Sequence, residues 1–168
     1  MRRILIVGNS GGGKSTLARR LGEKLAVPVV HLDVLFWKPS WVEAEEDAFR
    51  AVIRKALEAP AWVCDGNFAG SLDIRLPRAD TVIWIRQPRL LCLARAIWRV
   101  ATYRGRRIRP DMAAGCDEKF DPAFYRYIWD YDAKTAPRLE VALAQYAGHA
   151  RLVHLRSDRE IAAFLAAV

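Results

Sequence analysis

The chain holds 168 residues, 52% of them hydrophobic, which suffices for one domain (1–168) with a real core and is cramped for two. A formal net charge of +8 favours anionic partners: nucleotides, phosphorylated metabolites, nucleic acid or an acidic membrane surface. Three widely spaced cysteines argue against a disulfide framework, and no apolar run approaches the roughly 18 residues of a membrane span, so a cytoplasmic protein is expected.

The run Ile4-Leu5-Ile6-Val7 predicts a first strand. It enters Gly8-Asn9-Ser10-Gly11-Gly12-Gly13-Lys14-Ser15 and leaves through Thr16 into a helix whose Leu17, Leu21 and Leu25 share one stripe. This is the pattern G-x-x-x-x-G-K-[ST] of a phosphate-binding P-loop, set at a strand-to-helix turn where backbone N–H groups converge on phosphates. Residues 29–33 read as a second strand delivering Asp33 at its end, and Phe36 to Trp41 as an aromatic loop. Acids at 43–47 ahead of Phe49, Val52, Ile53 and Leu57, with Arg54 and Lys55 behind, predict an amphipathic helix aligned with its dipole.

Trp62-Val63-Cys64-Asp65 reads as a third strand ending in an acid, followed by the turn pair Gly66-Asn67 and a loop or short helix carrying Arg75 and Arg78. Thr81 to Ile85 is a fourth strand, and Gln87-Pro88 opens a helix with an apolar stripe of Leu90, Ala94, Ile97 and Ala101. Residues 103–116 read as a basic loop. Asp121-Pro122 caps an aromatic helix, Pro137 kinks it or starts another, residues 151–155 form a fifth strand, and Ser157 to Glu160 make a capping box before a terminal helix. Strands alternating with helices imply an α/β fold, a doubly wound parallel sheet with its ligand at the C-terminal strand ends.

Candidate chemistry gathers at those ends. Lys14 is expected on the β- and γ-phosphates of ATP and Ser15 on Mg²⁺. Asp65 is the first candidate for a metal-holding acid, while Asp33 is read as sharing the metal or as a catalytic base. His31 reads as a packed, hydrogen-bonded residue, and Trp37 and Trp41 either stack on a substrate or roof the core. Phe124, Tyr127, Ile128 and Tyr131 read as packing. Eight arginines at 86, 89, 95, 99, 104, 106, 107 and 109 occur with no acid between them, a phosphate-directed cluster of which Arg95, Arg99, Arg104 and Arg107 are favoured.

The P-loop, His31-Leu32-Asp33 with Phe36-Trp37, the turn Asp65-Gly66-Asn67, and the stretch from Arg104-Gly105-Arg106 to Arg109-Pro110-Asp111-Met112 together resemble the small bacterial P-loop proteins labelled topology modulation protein, relatives of adenylate kinases. The resemblance runs nearly end to end. It implies a P-loop kinase fold with strand order 2-3-1-4-5, an acceptor-binding helical segment at about 34–60 and an arginine-bearing lid at about 104–116. The adenylate kinase segments Thr-Gly-Asp and Asp-Gly-Phe-Pro-Arg have no clear equivalents here, and with Cys116 alone in the lid a four-cysteine zinc lid is excluded. The expected function is an ATP- and Mg²⁺-dependent kinase moving the γ-phosphoryl to a hydroxyl or phosphate of a small-molecule acceptor. The alternatives are a regulatory or DNA-topology-modulating ATPase that binds nucleic acid, and a kinase of nucleic-acid 5′ ends. No helix-turn-helix, RNP or zinc-finger signature favours them.

Overall fold

A computed structural model describes residues 1–103 and 111–168. Five parallel strands, β1 (Arg3–Gly8), β2 (Val29–His31), β3 (Trp62–Asp65), β4 (Thr81–Ile85) and β5 (Arg151–Leu155), form one sheet in the order β2-β3-β1-β4-β5, as expected. Because strand side chains alternate, β1 sends Leu5 and Val7 to one face and Ile4 and Ile6 to the other, and both faces are buried. Continuous apolar runs in β1 and β4 are what a strand covered on both sides requires.

On the first face, Trp62, Cys64, Val82 and Trp84 pack under α3 (Glu46–Ala56) and α7 (Ala136–Tyr146). On the second, Val63, Ile83 and Ile85 meet Leu17 and Leu21 of α1 (Lys14–Leu25), with Ile161 and Phe164 of α8 (Asp158–Ala167) alongside. A third cluster joins Cys92 and Ala96 of α5 (Arg89–Tyr103) to Ile128 of α6 (Pro122–Asp130). Asp121 caps α6 through its side chain, and Ser157 Oγ accepts from Glu160 N at the start of α8. Among the described residues no helix is long and apolar enough to cross a membrane.

Three sequence expectations change, and one open alternative, at Pro137, is decided. β2 stops at His31, and buried Leu32 turns the chain into the short helix α2 (Leu32–Phe36), so Asp33 lies in a first helical turn and not at a strand end. Residues 36–41 are not an irregular loop throughout: Trp37–Lys38 pairs antiparallel with Val42–Glu43 across a tight turn. Pro137 starts α7 after a π-turn at Tyr131–Thr135 and does not kink one long helix. The stripe of α5 is turned outward, with Leu90 67% and Ile97 55% exposed, while small Cys92 and Ala96 face inward. The reason is close approach: a Cβ on Gly11 would come within 2.3 Å of Cys92 O, so only small residues fit where α5 meets the P-loop.

Candidate active site

The loop between β1 and α1 takes its shape from backbone freedom at its glycines, Gly13 (φ +98) at the start of α1 among them. Gly8 (φ +144) and Gly11 (φ +80) lie in the left-handed region, and a Cβ at Gly8 would stand 2.2 Å from Ile85 O. Ser10, Gly11, Gly13, Lys14, Ser15 and Thr16 line a cleft of about 1110 Å³. Gly8, Asn9 and Gly12 sit behind them, buried. Asn9 Nδ2 donates to Ile128 O (2.8 Å), which fixes the loop to α6.

Lys14 Nζ donates to Asn9 O (3.0 Å). Burial lowers its pKa, opposed by the negative charges of Asp33 and Asp65, so an ammonium without a phosphate costs the folded state something. Ser15 Oγ donates to Asp65 Oδ2 (2.7 Å), which brings the expected metal pair together at the end of β3. The other carboxylate oxygen of Asp65, which is 3% exposed, is hydrogen-bonded to His31 Nδ1. Burial lowers the pKa of His31, but the hydrogen bond and charge of Asp65 outweigh it and the net shift is upward. The packing reading of His31 thus holds, with the added content that its partner is the candidate metal acid.

Asp33, Trp37, Trp41 and Arg138 line the cleft beyond the P-loop. Arg95 and Arg99 line it from α5, each held by an acid that the local sequence does not show: Arg95 by Asp158 (2.6 Å) and Arg99 by Glu118 (2.9 Å). Arg86 and Arg89 instead lie over the rings of Trp84 (4.8 Å) and Trp129 (4.1 Å). Arg104 and Arg107, with residues 104–110 of the expected 104–116 lid, lie outside the described residues. Phe124 and Tyr127, expected as packing, also line the cleft, whereas Ile128 and Tyr131 are buried as expected.

Two positioning residues had no clear signal in the sequence. Asn67 accepts from Gly8 N (3.1 Å) and donates to Tyr127 Oη (2.7 Å), so it ties the P-loop, the turn after β3 and α6 into one unit. Arg75, the last residue of the short helix α4 (Leu72–Arg75), is fully buried and donates to the carbonyl oxygens of Gly66, Asn67 and Phe68, holding that turn from behind. Nothing in the local pattern around Arg75 distinguishes a buried clamp from a surface arginine.

No protein-family model matches the chain. A curated relative, shikimate kinase from Rhodococcus jostii (strain RHA1), is 28% identical over 127 residues, covering 67% of this chain and 71% of the relative. Among solved structures, shikimate kinase from Acinetobacter baumannii in complex with shikimate superposes with a TM-score of 0.61 at 17% identity, covering 99% of this chain and 90% of that one. Shikimate kinase from Bacteroides thetaiotaomicron superposes with a TM-score of 0.55 at 18% identity, covering 99% and 95%. The chain therefore has the fold of a P-loop kinase, and its likeness in sequence and in fold is to kinases.

Proposed function

We propose that this protein is an ATP- and Mg²⁺-dependent phosphotransferase that moves the γ-phosphoryl group of ATP to a hydroxyl of a small acceptor. The observation that carries this reading is the contact of Ser15 with Asp65 beside Lys14, in a cleft larger than the roughly 300–1,000 Å³ of a pocket for one small ligand. A hydroxyl and one carboxylate are hard oxygen donors and fit Mg²⁺, which takes one or two carboxylates and completes its shell with water and substrate phosphate. When bound, the ion neutralises charge on the β- and γ-phosphates.

The chain's own residues supply the rest. Lys14 and the N–H groups of residues 10–16 bind the phosphates. Arg95 and Arg99, with Arg104 and Arg107 as proposed companions, meet the transferring oxygens. Ser15 and His31 hold the two oxygens of Asp65, and the place of Asp33 in the cleft lining supports a role for it on the acceptor side. Asp33 takes the hydroxyl proton as the acceptor oxygen bonds to the γ-phosphorus and the bridging bond to ADP breaks. The name shared by the relatives makes shikimate the first acceptor to test; the resemblance to topology modulation proteins carries the name of a phenotype and no reaction. That the four described arginines of the 86–109 cluster make contacts inside the protein favours a small acceptor over nucleic acid.

ADP release with ATP, Mg²⁺ and a panel of hydroxyl compounds is expected to rise with an acceptor and to yield a phosphorylated product by mass. Turnover of ATP to water alone across the panel would sink the reading.

A further inference from the structure

Trp37 and Trp41 line the same cleft as the P-loop, and their placement has a structural cost. Ser40 (φ 65) and Trp41 (φ 61) are successive non-glycine residues in the left-handed region, a conformation that persists only where the surroundings impose it. Here they do. Ser40 N donates to Gly115 O (2.8 Å), Trp41 Nε1 donates to Asp117 O (2.9 Å), and Cys116 Sγ lies 3.1 Å from Lys38 O. Trp37 packs edge-on against both Trp41 (5.4 Å between centroids) and Phe36 (4.9 Å), and Phe36 continues into Phe49 and Phe68 of the core.

A tryptophan that merely roofed the core would be buried. Both indoles instead keep partial exposure and line the cleft, with Phe68 beside them and the Lys119 ammonium 5.5 Å from the Trp41 ring. An indole held rigid from behind presents a flat apolar face at little entropic cost to binding, and the complement of such a face is another flat face.

Resting on the kinase reading above, we propose that Trp37 and Trp41 form the recognition wall for the acceptor, and that the acceptor class is a ring-bearing alcohol whose flat face lies on one indole while its edge meets the other, the two rings standing at 70° to each other. The face of a cyclic polyol and the ring of a nucleoside share this chemistry, and an acyclic polyol with as many hydroxyls lacks it. The strained turn serves to hold Trp41 at the height that the ring requires.

The test uses the full chain with Mg²⁺ and a non-hydrolysable ATP analogue, titrated with myo-inositol, shikimate, adenosine and thymidine as ring probes and with glycerol and erythritol as acyclic ones. Binding is read by saturation-transfer NMR, and turnover is read in parallel with ATP. At least one ring probe is expected to bind and no acyclic probe to match it. Trp37→Leu and Trp41→Leu are expected to weaken that binding tenfold or more, Trp37→Phe and Trp41→Phe to recover most of it, and the melting-temperature rise with ATP to persist in all four, which shows that they fold. Acyclic probes binding as well as rings, no ring binding at all, or leucine variants that bind like wild type would each overturn the proposal. Ring binding that depends on the indoles but yields no ADP upholds the wall and counts against the kinase reading instead.

Discussion

Gly11 joins shape and chemistry at one residue. Its φ of +80 turns the loop toward the phosphates, and its missing Cβ lets the carbonyl of Cys92 come close from α5. Gly11→Ala is therefore expected to lower stability by about 2 kcal/mol, read as a lower urea midpoint with an unchanged slope. The glycine itself was legible in the motif, but its partner was not, because Cys92 lies 81 positions away and only the packed helix brings it near. His31 teaches the same lesson from the other side. A lone histidine in an apolar strand carries no signal of its own, and its role emerges once parallel pairing puts His31 level with Asp65.

At the scale of elements, the strands meet at a staple that the sequence does not advertise. Asp80 Oδ2 accepts from Arg2 N (2.8 Å) and Arg3 N (2.9 Å), and Thr81 Oγ donates to Oδ1 (2.8 Å). The same residue's carbonyl accepts from Arg151 N (2.9 Å), so β1, β4 and β5 are tied at their N-terminal ends. Burial pushes the Asp80 carboxyl upward, but the N–H and hydroxyl donors outweigh it and hold the group below the usual carboxylate range. A lowered carboxylate pKa gives stability that is present above the unfolded value of about 3.9 and lost as pH falls through the folded one. Asp80→Ala is thus expected to cost about 1–2 kcal/mol at pH 7, discounted for partial solvation, and the gap to wild type should close as denaturation is followed below about pH 4. The strands, the α6 cap at Asp121 and the α8 cap at Ser157 were each readable from local pattern. The outward stripe of α5 was not, because a helix buries the face its neighbours fit, and here they require small side chains.

Across the whole molecule, charge and ligand binding are linked. A surplus of +8 suggests a basic surface, yet the described arginines of α5 and its approach are matched by Asp158, Glu118 and the rings of Trp84 and Trp129. Among the described cations lining the cleft, Lys14 has its pKa lowered by burial, and a bound anion would offset that cost. ATP at a hundred times its Kd is expected to stabilise the folded state by about 2.7 kcal/mol, or roughly 5–10 °C in Tm, and Lys14→Ala to abolish the rise. An unchanged shift in a thermal scan of that variant would contradict the phosphate site.

By itself the sequence determined the P-loop, the five strands and their alternation with helices, because turn chemistry, side-chain period and capping act over a few residues. Only the tertiary structure decided which acid faces Ser15, which arginines are neutralised, which face of α5 is buried and where Trp37 and Trp41 stand. Those depend on contacts between residues distant in the chain, and no local period records them.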